Sequence, residues 1–134
     1  MFRRILSAML VTLVVAGCKG ASSIAGHWAP ESAKLGGNDF PVAGFDGATL
    51  QLTKDTYEFG GDKGTVEVLE THKPDQMDIH GKEGPNAGKT IPAIFELQGD
   101  HLTICYQLGN GERPAAFDSP KGTQVLLIHY KRLP

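Results

Sequence analysis

The chain has 134 residues, a formal charge of −2, 40% hydrophobic residues and two cysteines, enough for one modest core and too little for two domains. Removing residues 1–17 takes Arg3 and Arg4 away and the charge to −4. No basic stripe remains to attract nucleic acid, which excludes it as an expected partner.

In chain order, Met1-Phe2-Arg3-Arg4 comes first, followed by an apolar run from Ile5 to Val15 and then Ala16-Gly17-Cys18. A cationic start with an apolar stretch of roughly 7–15 residues is the pattern of an export signal, and it is too short to span a bilayer as a helix. Small residues directly before a lone cysteine resemble the lipobox of bacterial lipoproteins, where the thiol takes a diacylglycerol before the peptide is cut. The expectation is a lipoprotein signal peptide over 1–17, Cys18 as the lipidated mature N-terminus, a flexible tether over 18–25 and one domain over 26–134. Acyl chains of the palmitate type contribute about 0.8 kcal/mol per buried CH₂, so two or three of them anchor a protein to a membrane without a transmembrane helix. Lys19 rather than Asp after the cysteine resembles the pattern sorted to the outer membrane. The expected location is the cell envelope, lipid-anchored and facing the periplasm. An acylated Cys18 leaves Cys105 without a disulfide partner, so Cys105 reads as a buried thiol.

Past the tether, no segment has the 3.6-residue apolar period of a good helix, and short alternating runs between Gly, Asn, Asp and Pro recur instead. Gly26 to Leu35 reads as a first strand, stopped by Gly36-Gly37-Asn38-Asp39, and Phe40 to Gly44 as a crossing loop. Pro30 cannot donate to a ladder, so this strand is expected to be an edge or to carry a bulge, with a gap in the barrel beside it. Ala48, Leu50 and Leu52 alternate with polar residues. Lys54-Asp55 reverses the chain into Thr56 to Phe59, and Gly60 to Lys63 turns it again into Gly64 to Leu69. Gln76 to His80 is a strand and Gly81 to Lys89 a loop. Thr90 to Leu97 and His101 to Gln107 form a hairpin across Gln98-Gly99-Asp100. A long loop, Leu108 to Gly122, leads to a last strand from Thr123 to Arg132, apolar on both faces over Val125 to Ile128.

About eight antiparallel strands in meander order predict an all-β, closed up-and-down barrel, since closure removes exposed sheet edges. A β-sandwich is the alternative. The inward set Leu50, Leu52, Tyr57, Phe59, Phe95, Ile104 and Tyr106 is large and is expected to leave room for one small ligand at most.

Gly26-His27-Trp28 matches the Gly-x-Trp signature of lipocalin-like barrels. Gly47-Ala48-Thr49-Leu50, Gly88-Lys89-Thr90-Ile91, the stretch Phe95 to Tyr106, Gly111-Glu112-Arg113-Pro114-x-x-Phe117 and Val125-Leu126-Leu127 follow in order. Together they resemble the lipocalin-like domain family of unknown function abundant in planctomycete-type bacteria, over roughly Ile24 to Arg132. The resemblance implies a small β-barrel and no activity. It also implies a basic residue late in the chain packed on Trp28, which carries over to Arg132 or to Lys131. Gly26 would let the backbone pass close at this barrel floor, and a guanidinium over the indole contributes about 0.5–2 kcal/mol.

Glu112-Arg113-Pro114 is the sharpest polar cluster and the candidate binding loop. Arg113 braced by Glu112 would either fix the loop as an ion pair or receive an anionic group in bidentate geometry, and the bracing role is the expected one. The five histidines, His27, His72, His80, His101 and His129, lack the close spacing of a ligand pair, so no metal or cofactor is expected. No Gly-x-Ser-x-Gly elbow occurs and Cys105 has no flanking base, so no catalytic residue is assigned. The expected function is a membrane-anchored, non-enzymatic binding or interaction domain, its partner a protein on the rim loops. The alternatives are a carrier of a small apolar ligand inside the barrel, or a small hydrolase or isomerase whose residues converge only in three dimensions.

Overall fold

A computed structural model describes residues 23–70 and 73–134. The signal segment, Cys18 and most of the tether lie outside the described residues. Among the described residues, nine strands make one antiparallel sheet: β1 (Gly26–Leu35), β2 (Asn38–Phe40), β3 (Leu50–Leu52), β4 (Thr56–Phe59), β5 (Asp62–Leu69), β6 (Asp75–Glu83), β7 (Thr90–Gln98), β8 (His101–Gln107) and β9 (Val125–Arg132). From β3 to β9 each strand pairs with the next, and β1 pairs with both β3 and β9. Eight strands thus close an up-and-down barrel. The short β2 is an extra strand that folds back on the far half of β1 through Gly36 and Gly37, whose φ of 58° and 85° suit the tight turn.

Pro30 makes its mark as a bulge. Pro30 faces Tyr130 and Ser32 faces His129, so Glu31 is an extra residue in β1. That one insertion lets Trp28 and Ala33, an odd number of positions apart, both reach the buried interior. The expected gap beside β1 is absent from the β1–β9 seam, which stays paired from Trp28↔Arg132 to Leu35↔Leu126 on both sides of the bulge. On its other side, β1 passes from pairing with β3 at Trp28 to pairing with β2 at Ala33.

Besides β2, formed where a strand stop and a loop were expected, two segments differ from the sequence expectation. The crossing loop holds a short 3-10 turn, η1 (Val42–Phe45), because Pro41 arrives with φ −63° and its carbonyl accepts the Gly44 N–H at 2.8 Å. Strand β6 runs past His80 to Glu83, since Gly64 and Gly81 face each other without side chains and keep the backbones close.

The apolar residues separate onto two faces. Trp28, Leu50, Tyr57, Met77, Phe95, Leu102, Ile104 and Tyr130 belong to the inner core. Ile94, Cys105, Val125 and Leu127 form a second cluster with Phe117 from the loop between β8 and β9. That loop explains why Val125 to Ile128 is apolar on both faces: Ile128 turns inward and Leu127 outward, beneath the loop. Ser119 secures it, donating to the Val125 carbonyl at 2.8 Å and accepting from the Gly37 N–H at 3.1 Å. The Cys105 thiol is buried and donates to the Asp118 carbonyl at 3.3 Å, and burial pushes its pKa up.

Candidate functional site: the barrel interior

The antiparallel order gives the barrel two unlike ends. At the end where β1 starts and β9 finishes, the Arg132 guanidinium lies 4.2 Å from the centroid of the Trp28 ring. Its Nη1 donates to the Ala25 carbonyl at 3.0 Å, and the Trp28 indole donates to the Ile24 carbonyl at 2.9 Å. A Cβ on Gly26, which has φ +150°, would strike Arg132 Nη1. Gly26, Trp28 and Arg132 therefore meet as one plug, while Lys131 faces outward, exposed and opposite Ala29.

The other end carries η1, the β4–β5 turn, the β6–β7 loop and the β8–β9 loop. Phe45 of η1 packs against Phe40 at a tilt and against Phe59 edge to face, with centroids 4.9 and 5.4 Å apart. Beneath them is a partly open cavity of about 160 Å³. The large inward residues do not fill the barrel. Apolar protein cavities of about 150 Å³ stay dry and take up benzene, so the space suits a ligand of that order of size.

The walls are mostly aliphatic and aromatic, with few polar groups. All three tyrosines of the chain contribute to them. The Tyr57 hydroxyl donates to Asp62 Oδ1 at 2.8 Å, and Asn86 Nδ2 donates to Asp62 Oδ2 at 2.6 Å. Tyr106 and Tyr130 share a hydroxyl–hydroxyl bond of 2.7 Å. That bond uses one of their two protons, leaving the other free to be given to a ligand. Among the described residues lining the cavity, Asp62 is the single charged side chain.

Burial, the hydrogen bond to Asp62 and its charge push the Tyr57 phenol up. Tyr106 is raised by burial first and then by the charges of Asp62 and Tyr57, against a lowering bond from Tyr130. Tyr130 is raised by burial and by Tyr106. Unfolded tyrosines lose their protons near pH ~10. Above that pH the unfolded chain binds fewer protons than the folded one, so the stability these groups contribute is complete below it and is lost as pH rises further. Tyrosinate absorbance is therefore expected to stay low through pH ~10 and to rise together with loss of the fold. Three phenols titrating near pH ~10 in the folded chain would contradict the buried arrangement.

No family model, curated protein or solved structure matches the chain. The site therefore stands on its own geometry.

The candidate binding loop has a different geometry from the one expected. Arg113 Nη1 donates to the carbonyls of Met77 and Ala93, each at 3.0 Å, and Nη2 pairs with the Asp78 carboxylate. Glu112 is exposed, and its carbonyl accepts from Gln107 Nε2 at 3.1 Å. Bracing is thus the arrangement found, with Asp78 in the place expected for Glu112. Met77 and Ala93 face each other across β6 and β7, so Arg113 staples the long loop to both strands from outside. Arg113→Ala is expected to cost about 1–3 kcal/mol, as for hydrogen bonds to a charged group, and Glu112→Ala less than about 0.5 kcal/mol. Urea unfolding checks this. A double-mutant cycle should couple Arg113 to Asp78 and leave Arg113 and Glu112 additive.

The histidines among the described residues sit on the outer surface: His27 beside Thr49, His80 between Thr90 and Glu67, His101 near Glu31 and His129 beside Thr103. Sequence reasoning missed Asp62, Asn86 and Tyr130 as members of the site. Asp62 reads as a solvated turn carboxylate after Gly60-Gly61. Its one signal is parity, because Asp62, Gly64 and Val66 share a face and Val66 is buried. Asn86 in a Gly/Pro-rich loop has no such signal.

Proposed function

We propose that this protein is a non-enzymatic binding module whose barrel interior takes up one small, largely apolar molecule. The observation that carries the reading is the 160 Å³ cavity, reached beside Phe45 in a barrel whose opposite end is plugged by Trp28 and Arg132. A concave apolar space with a few convergent polar groups is the usual form of a small-molecule site. The lipobox-like Ala16-Gly17-Cys18 and the Gly-x-Trp at the first strand agree with it, giving a lipid-anchored envelope protein of lipocalin-like type. A lipid at Cys18 would hold the barrel at the membrane surface while leaving its mouth in water. Rim-loop recognition of a protein partner, the role first expected, has no comparable feature in its support.

The test is calorimetric titration of the full chain with benzyl alcohol, beside a Leu126→Trp variant that fills the cavity from its mouth. The wild type is expected to bind one equivalent and the variant to lose at least tenfold in affinity while keeping its fold. Equal binding by both would place the probe elsewhere and refute the reading. For the anchor, Cys18→Ala is expected to abolish membrane partitioning and to change the mature mass. Unchanged partitioning and processing would refute lipidation.

A further inference from the structure

We propose that the ligand taken up by this barrel is a small apolar amine bound as its ammonium ion, with Asp62 as the counter-charge. The inference rests on the reading of the cavity as a binding site and adds the chemistry of its occupant.

Asp62 opens β5 at the mouth end and faces the cavity. Its partners are both neutral: Tyr57 on Oδ1 and Asn86 on Oδ2. Among the described residues, no Lys, Arg or His forms an ion pair with Asp62, although five ion pairs form elsewhere on the barrel. A carboxylate with two oxygens has about four acceptor sites, and two donors leave capacity for more. Placing a charge against an apolar wall without a counter-ion is costly, and a bound cation would offset that cost.

The walls suit the same occupant. Phe45, Phe59 and Tyr57 put aromatic rings around the space next to Asp62, and ring faces attract a cation. Asp62 is the one charge in the cavity wall, and its negative field adds to burial, the larger cause, in raising Tyr57 and Tyr106. That field repels a carboxylate or phosphate, and no basic side chain in the wall would receive one. An apolar body would lie against Ile79, Ile91 and Ile104, with the ammonium group toward the mouth at Asp62.

Three probes of one shape separate the outcomes: benzylamine, benzyl alcohol and benzoate, titrated into the full chain by calorimetry at neutral pH. Benzylamine is expected to bind at least tenfold more tightly than benzyl alcohol, and benzoate least. Asp62→Asn keeps the shape, and turning the Asn86 amide preserves both hydrogen bonds. In that variant the affinity for benzylamine should fall at least tenfold, and its preference over benzyl alcohol should disappear. Benzyl alcohol binding as tightly as benzylamine in the wild type would overturn this inference and leave the cavity reading standing. Failure of all three probes to bind would overturn both.

Discussion

Trp28→Ala is expected to destabilise the protein by about 3–5 kcal/mol, the range for removing a large buried aromatic side chain. Trp28 has 0% exposure, and its indole N–H is satisfied by the Ile24 carbonyl. Its loss also strips Arg132 of the ring over which it lies. Against a typical domain stability of about 5–15 kcal/mol, a loss this large removes much of the folded margin. Arg132→Ala should cost less, about 1–2 kcal/mol, because the indole remains packed while the cation–π contact, the carbonyl bonds and the exposed Asp100 ion pair go. Urea unfolding followed by far-ultraviolet circular dichroism measures both. A Trp28→Ala loss below about 1 kcal/mol would contradict the plugged floor.

The second large effect is expected at Gly81. A Cβ there would run into the Asn86 carbonyl, part of the backbone of the β6–β7 loop. Backbone cannot swing aside like a side-chain tip, so Gly81→Ala should cost about 1–3 kcal/mol or more as an overpacking change. It should also displace Asn86 from Asp62, coupling a stability loss to weaker binding in the cavity. Gly61→Ala is the control, since a Cβ there meets nothing within 4 Å. Thermal unfolding of the two variants side by side is the measurement. Equal effects at the two positions would show that the loop is not pressed against Gly81.

The order of strands was legible because alternation and turn chemistry are local. Gln98-Gly99-Asp100 between two apolar runs has one natural reading, and β7 and β8 pair across it from Ala93↔Tyr106 to Gln98↔His101. Pro30 announced a bulge through its missing N–H, a property of one residue. The site was less legible because it depends on which distant residues share the interior. The Asp62 contacts join the start of β5 to a ring in β4 and an amide beyond β6. Whether large inward side chains fill a barrel depends on its radius and on how they tilt, and no local pattern encodes either. The Arg113 partner was misread for a related reason: Glu112 is adjacent in sequence, whereas neighbours along an extended loop point apart and Asp78 is adjacent in space.

The central claim, that the barrel interior is where a ligand binds, is tested most directly by methyl NMR of the isoleucines during titration with benzyl alcohol. Ile79, Ile91, Ile104 and Ile128 line the cavity, while Ile94 lies in the outer cluster beneath the long loop. The account predicts that the four inner methyls shift together and saturate with one equivalent, and that Ile94 stays unmoved. Shifts confined to Ile94 or to surface residues, with the four inner methyls unchanged, would contradict it.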